Sequence, residues 1–222
     1  MAENRWTRLG RKLTDAVRYF ERDKSRSGRV AKRILSGLFR GLLISDFFAG
    51  YNRYKGPHQR CWVHLLRDLH KLKEEHAGNE PVQRWARDVR TLYDEAKAAL
   101  PEIKERTEQE REALYNSLVE RAQKLALQYA QDKAHPCWAL AKRLSRHQDE
   151  LFQFVRVDGV PADNNLAERS LRPVVVMRKI SGGTRSPAGS KTRMALASLF
   201  ATWRARGLNP FHACFGLLAG IA

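Results

Sequence analysis

The chain has 222 residues, with 41 Lys and Arg against 24 Asp and Glu, a formal net charge of +17. That charge calls for a polyanionic partner, and nucleic acid fits better than a membrane. No apolar run approaches the roughly 20 residues of a spanning helix, and the N-terminus has no signal-peptide core. Three cysteines without a close pair point to free thiols in a reducing cytoplasm. The excess charge sits at the ends: residues 1–40 carry twelve Lys/Arg against four acids, and residues 163–222 carry nine against two.

Residues 1–15 show no apolar period. Ala16-Val-Arg-Tyr-Phe20 alternates as a strand does. Residues 27–38 read as a helix with Val30, Ile34, Leu35 and Leu38 inward. The run from Gly41 to Asp46 is apolar and ends in an acid, the signature of a buried strand. A short helix or turn follows at Ala49, and Gln59-Arg-Cys-Trp-Val63 reads as another strand. From His64 to about Tyr129 the pattern is helical, with stripes Leu65/Leu66/Leu69/Leu72, Trp85/Val89/Leu92/Ala96 and Leu114/Leu118/Ala122/Leu125. Pro136 opens a further helix that runs to about Phe154. Asn164 or Asn165 is expected to cap a helix through Leu171, and Pro173-Val-Val-Val-Met177 to be extended. A flexible basic loop with Gly182, Gly183 and Gly189 precedes a helix over about 190–206 and a last short apolar one. The order is strand, helix and strand tipped by an acid, then a helical block, then a helix with a second acid.

Two acids carry the chemistry. Asp46 stands at a strand's C-terminal end, where open α/β sheets place ligands. Glu168 stands in the first turn of a helix among Arg169, Arg172, Arg178 and Lys179. Carboxylates from different elements suit the two hard cations of phosphoryl transfer. Each has a plainer reading: Asp46 caps the following helix, and Glu168 completes a capping box with Asn165. Neither explains the basic surround. Cys61 with His64, and His135 with Cys137, echo halves of a zinc site but lack its usual paired spacing. They read as packing residues.

The run Asp163-Asn-Asn-Leu-Ala-Glu-Arg-Ser-Leu-Arg-Pro173 is followed by Arg178-Lys-Ile-Ser-Gly-Gly183 and Arg185-Ser-Pro-Ala-Gly189. With Ile44-Ser-Asp-Phe-Phe-Ala-Gly-Tyr-Asn52, Gln59-Arg-Cys-Trp-Val-His64 and Arg206-Gly-Leu-Asn-Pro210, it resembles the insertion-sequence sixty-six family of bacterial DDE transposases. The resemblance runs from about residue 17 to the C-terminus. It implies an α/β fold in three parts. Residues 1–63 would form a partial ribonuclease-H-like core without its first strand. Residues 64–155 would be a large all-α insertion. Residues 156–222 would hold the rest of the catalytic core, with the Glu-bearing helix and a basic, helical C-terminus.

It further implies cutting of transposon ends and joining of 3′ hydroxyls to target DNA, with Mg²⁺ or Mn²⁺ held by Asp46 and Glu168. Arg169, Arg172, Arg178, Lys179 and Arg185 would hold DNA phosphates. A homo-multimer or a full-length transposase would be the protein partner, in the cytoplasm. The family's first catalytic aspartate has no counterpart here: Ala2-Glu-Asn-Arg-Trp6 stands in its place, and Asp15 lacks strand-like surroundings. The expectation is a truncated copy with weak metal binding and little or no strand transfer on its own. The alternative is a DNA-binding remnant that modulates a full-length transposase without catalysis.

Overall fold

A computed structural model describes residues 2–3, 17–23, 28–35 and 39–220, which form two compact units. Asp15 and Ala16 lie outside the described residues; of the strand expected over 16–20, Tyr19–Phe20 is a strand. The chain is mostly helical, and the described strands are short and paired in two two-stranded sheets. No helix among the described residues is long and apolar enough to cross a membrane.

One unit comprises Ile44–Phe48 and Pro57–Asn164. It holds β4 (His58–Arg60), which pairs with β3 (Leu43–Ser45), and the helices α2 (Trp62–Glu75), α3 (Glu80–Ala98), α4 (Glu108–Leu127), α5 (Trp138–Leu151) and α6 (Gln153–Arg156). The stripes read from the sequence form its core. Trp62, Leu65, Leu69 and Leu72 of α2 are buried with Val82, Trp85, Val89, Leu92 and Ala96 of α3. Asn79 starts α3 by accepting the Val82 amide at 3.3 Å. Thr107 and Glu110 form a reciprocal capping box that starts α4. The buried indoles are satisfied: Trp62 Nε1 donates to the Leu151 carbonyl at 2.6 Å and Trp85 Nε1 to that of Leu125 at 2.9 Å. The strand expected over 59–63 is three residues long and ends at Arg60, because Trp62 opens α2 and turns its ring into the helical core.

The other unit comprises Met1–Leu43, Ala49–Gly56 and Asn165–Ala222. β1 (Ala2–Glu3) pairs antiparallel with β2 (Tyr19–Phe20), Ala2 opposite Phe20. Side chains of α8 (Pro187–Ala205) serve β2 as a neighbouring strand would. Thr202 Oγ1 accepts the Arg18 amide at 2.9 Å, and Ser198 Oγ accepts that of Phe20 at 2.8 Å. α1 (Gly28–Leu35) packs on the 3₁₀ turn Ala49–Arg53, where a Cβ on Gly28 would lie 3.2 Å from the Gly50 backbone. Ala31, Leu35, Phe39 and Leu43 form a small core there.

α7 (Asn165–Ile180) corrects the expectation for residues 173–177. The helix runs straight through Pro173 instead of ending at Leu171. Ala167, Glu168, Leu171, Val174 and Val175 are half-buried and recur at helical spacing, so the valines extend one stripe. Proline there forfeits one backbone bond, a cost of about 3 kcal/mol that the remaining turns carry. Gly182 and Gly183, both at positive φ, turn the chain after α7. Arg193 ties that loop down through Ser181 Oγ at 3.0 Å and the Gly183 carbonyl at 3.2 Å. Asn209 caps α9 (Pro210–Ala219), which Gly220 ends in the left-handed region.

Candidate functional site

Asp46 follows β3 directly and is half-buried. Its Oδ1 accepts the Phe48 amide at 3.0 Å, a local turn of the kind aspartate forms ahead of a helix. The Phe48 amide precedes the 3₁₀ turn that begins at Ala49, so Asp46 forms a local turn and not the expected cap. The bond also fixes the carboxylate's direction and leaves lone pairs for another ligand.

Beneath Asp46 lies a buried polar network with no counterpart in the motifs. Arg60, fully buried, donates from Nη1 to the Asp46 carbonyl at 2.8 Å and from Nε to Glu150 Oε2 at 2.5 Å. Ser45 Oγ donates to the same carbonyl at 2.8 Å and meets His58 Nε2 at 2.8 Å. His147 Nδ1 lies 2.9 Å from Glu150 Oε2. Burial alone would raise the Glu150 pKa, but hydrogen bonds from His147 and Arg60 and the Arg60 charge overcome it and bring it down to about 2. Burial, then the Arg60 charge, lowers His58 to about 3, so its ring is neutral at ordinary pH.

Cys61 links two segments of the same unit. Its amide donates to the Ser45 carbonyl at 2.8 Å, and its sulfur accepts the Asn164 amide at 3.4 Å. Burial raises its thiol pKa, and raises that of Cys137 to about 11, so neither is a ready thiolate. Asn164 Oδ1 is buried and accepts no hydrogen bond, so this side chain does not cap α7.

Glu168 lies in the other unit, half-buried in the first turn of α7. The helix N-terminus favours an anion there. Arg169 and Arg172, three residues apart, are exposed on one face, and Lys179 continues it two turns on. Arg178 and Arg185 are exposed in the same unit. From Arg169 to the C-terminus there are nine Lys/Arg and no acid. The structure thus sets Glu168 beside Arg169 and Arg172 on one helix, with Asp46 in the separate unit. Both carboxylates have the hard oxygen donors that Mg²⁺ prefers. Among the described residues no three His, Cys, Asp or Glu gather as a metal site.

Arg60 and Glu150 escaped the reading of the sequence. Two signals were present: an arginine inside the expected strand 59–63, and His147 on the inward stripe of α5 with Glu150 three residues on.

Comparison with known proteins points one way. The model of the transposase IS66 family matches residues 4–192. The chain is 33% identical over 178 residues to the uncharacterized protein y4jO of Sinorhizobium fredii, covering 79% of this chain and 52% of that one. It is 26% identical over 203 residues to the uncharacterized protein y4qI of the same organism, covering 85% and 37%. The chain therefore spans about half, or less, of the length of these curated relatives. No solved structure matches.

Proposed function

The chain belongs to the IS66 family of transposases, and from that premise we propose that it binds DNA and supplies two carboxylates, Asp46 and Glu168, to metal-dependent phosphoryl transfer at transposon ends. The observation that carries the proposal is Glu168. It is the last acid of the chain and stands at the head of a helix whose exposed face is basic. A carboxylate meant only for solvation would not call for that surround, whereas a phosphodiester brought to an acid needs cations to offset its charge.

In this reading Arg169, Arg172 and Lys179 lie along the DNA backbone and fix its register, with Arg178 and Arg185 adding phosphate contacts. Asp46 presents its carboxylate from the turn locked by the Phe48 amide. A divalent cation such as Mg²⁺ would supply Lewis acidity toward the phosphoryl oxygen. β3 and β4 would belong to a ribonuclease-H-like core, residues 64–155 being the helical insertion within it. A second reading is DNA binding without cleavage, motivated by the nine Lys/Arg from Arg169 onward, which hold phosphate with or without a metal.

Both readings require phosphate contacts, so binding to a duplex of transposon-end sequence is measured across a salt series. The expected log–log slope is steep, and the double substitution Arg169→Ala with Arg172→Ala lowers its magnitude by about 1.8, or 0.9 per lost contact. Binding that ignores salt, or an unchanged slope in the double variant, would remove α7 as the DNA-facing element.

A further inference from the structure

We infer that Arg60, held by Glu150, is a positioning residue that sets the direction of the Asp46 carboxylate, and that one face of α5 exists to clamp the Asp46 turn. The inference rests on the catalytic reading of Asp46 for its purpose but not for its geometry. Arg143, His147 and Glu150 fall at i, i+4 and i+7 on α5, a single stripe. Each reaches the segment 46–48 or its support. Glu150 grips Arg60 Nε at 2.5 Å, and the other arm of that guanidinium donates to the Asp46 carbonyl at 2.8 Å. The His147 ring meets the Phe47 ring edge-on at 5.6 Å, while the Arg143 guanidinium stands 5.1 Å from the Phe47 ring centre. Arg143 is itself anchored by Asp68 of α2. From Asp46 to Phe48, every residue is thus tied: carbonyl, ring, and amide to the Asp46 carboxylate.

Stability alone is a poor explanation for this arrangement. A buried ion pair is commonly matched or bettered by apolar residues of the same volume. What apolar residues cannot supply is a donor rigidly aimed at one carbonyl. Arginine can, because its planar fork holds an acid with one nitrogen and a carbonyl with another. The Asp46 carbonyl receives two donors, Arg60 Nη1 and Ser45 Oγ, and the peptide that follows it carries the amide of Phe47. Fixing that peptide plane fixes where the Phe48 amide, and with it the Asp46 carboxylate, can point.

The test uses the full chain in four forms: wild type, Arg60→Met, Arg60→Met with Glu150→Leu, and Asp46→Asn. Amide hydrogen exchange is read at Phe47 and Phe48, against the core amides of α2 and α5 as internal reference. Binding of Mn²⁺ is read separately by paramagnetic broadening at Asp46. The expected result is that Phe48 exchange rises by about tenfold or more in Arg60→Met. The double variant regains part of the lost melting temperature, since no charge is stranded, yet keeps the fast Phe48 exchange. Recovery of slow Phe48 exchange in the double variant, to within about twofold of wild type, would reduce Arg60 to a structural residue and overturn the inference. The Mn²⁺ arm judges the other claim: equal broadening in wild type and Asp46→Asn would remove Asp46 as a ligand, while the exchange data still decide whether Arg60 positions it.

Discussion

Acidification should destabilise the helical unit well above the pH at which Glu150 titrates, because of His58. The ring is buried, its side chain 2% exposed. It is bonded to Ser45 Oγ and faced by Arg60, His147 and Glu150. Burial and the Arg60 charge hold its pKa at about 3. Unfolded, it would titrate near 6.5. A base with a depressed folded pKa leaves the unfolded chain binding more protons, so its contribution is complete above pH 6.5 and drains as the pH falls toward 3. At 1.36 kcal/mol per unit, the two units between pH 6.5 and 4.5 are worth about 3 kcal/mol. Glu150 contributes nothing in that window. Its own pKa, lowered to about 2, makes its contribution fade only below about pH 4.5, and with a side chain 31% exposed that share shrinks to about 1–2 kcal/mol after screening. The assay is urea unfolding followed by tryptophan fluorescence at pH 7 and 4.5, for wild type and His58→Gln. Glutamine keeps a donor toward Ser45 but cannot take a proton. Wild type should lose about 2–3 kcal/mol more than the variant. Equal losses would refute a neutral, buried His58.

Arg60→Met takes the buried cation from the part-exposed Glu150 and leaves the Asp46 carbonyl one donor short, and should cost about 1–3 kcal/mol, part of it regained when Glu150→Leu is added; denaturation midpoints of the three proteins decide it. Pro173→Ala should stabilise α7, by up to about 3 kcal/mol, and raise the helical circular-dichroism signal. A loss of stability would restore the extended reading of residues 173–177. Trp62→Ala removes a wholly buried indole and its bond to the Leu151 carbonyl, and should cost about 3–5 kcal/mol in thermal or urea unfolding.

The long helices were legible because their stripes are long: Leu65, Leu69 and Leu72, or Trp85, Val89 and Leu92, have a single periodic reading. The same logic misjudged residues 173–177. A proline followed by three valines signals a break and a strand, yet Leu171, Val174 and Val175 continue the stripe begun at Ala167. The strand read over Gln59–Val63 was too long at its C-terminal end, and the structure divides those residues between β4 and α2. Glu168 was placed in the first turn of its helix by its motif, and it stands there. The support of Asp46 was not legible. Arg60 and Glu150 are 90 residues apart, and neither type nor spacing in one sequence couples an arginine in a short strand to an acid on a distant helix.

The account stands on Glu168 and Asp46 acting on DNA rather than merely lying near it. A supercoiled or end-labelled duplex carrying the transposon ends, incubated with the chain and Mn²⁺, measures that directly when wild type is set beside Asp46→Asn and Glu168→Ala. The account expects slow metal-dependent nicking by wild type, lost in both variants while salt-dependent binding persists. Binding without nicking in all three proteins, or equal nicking in all three, would contradict it.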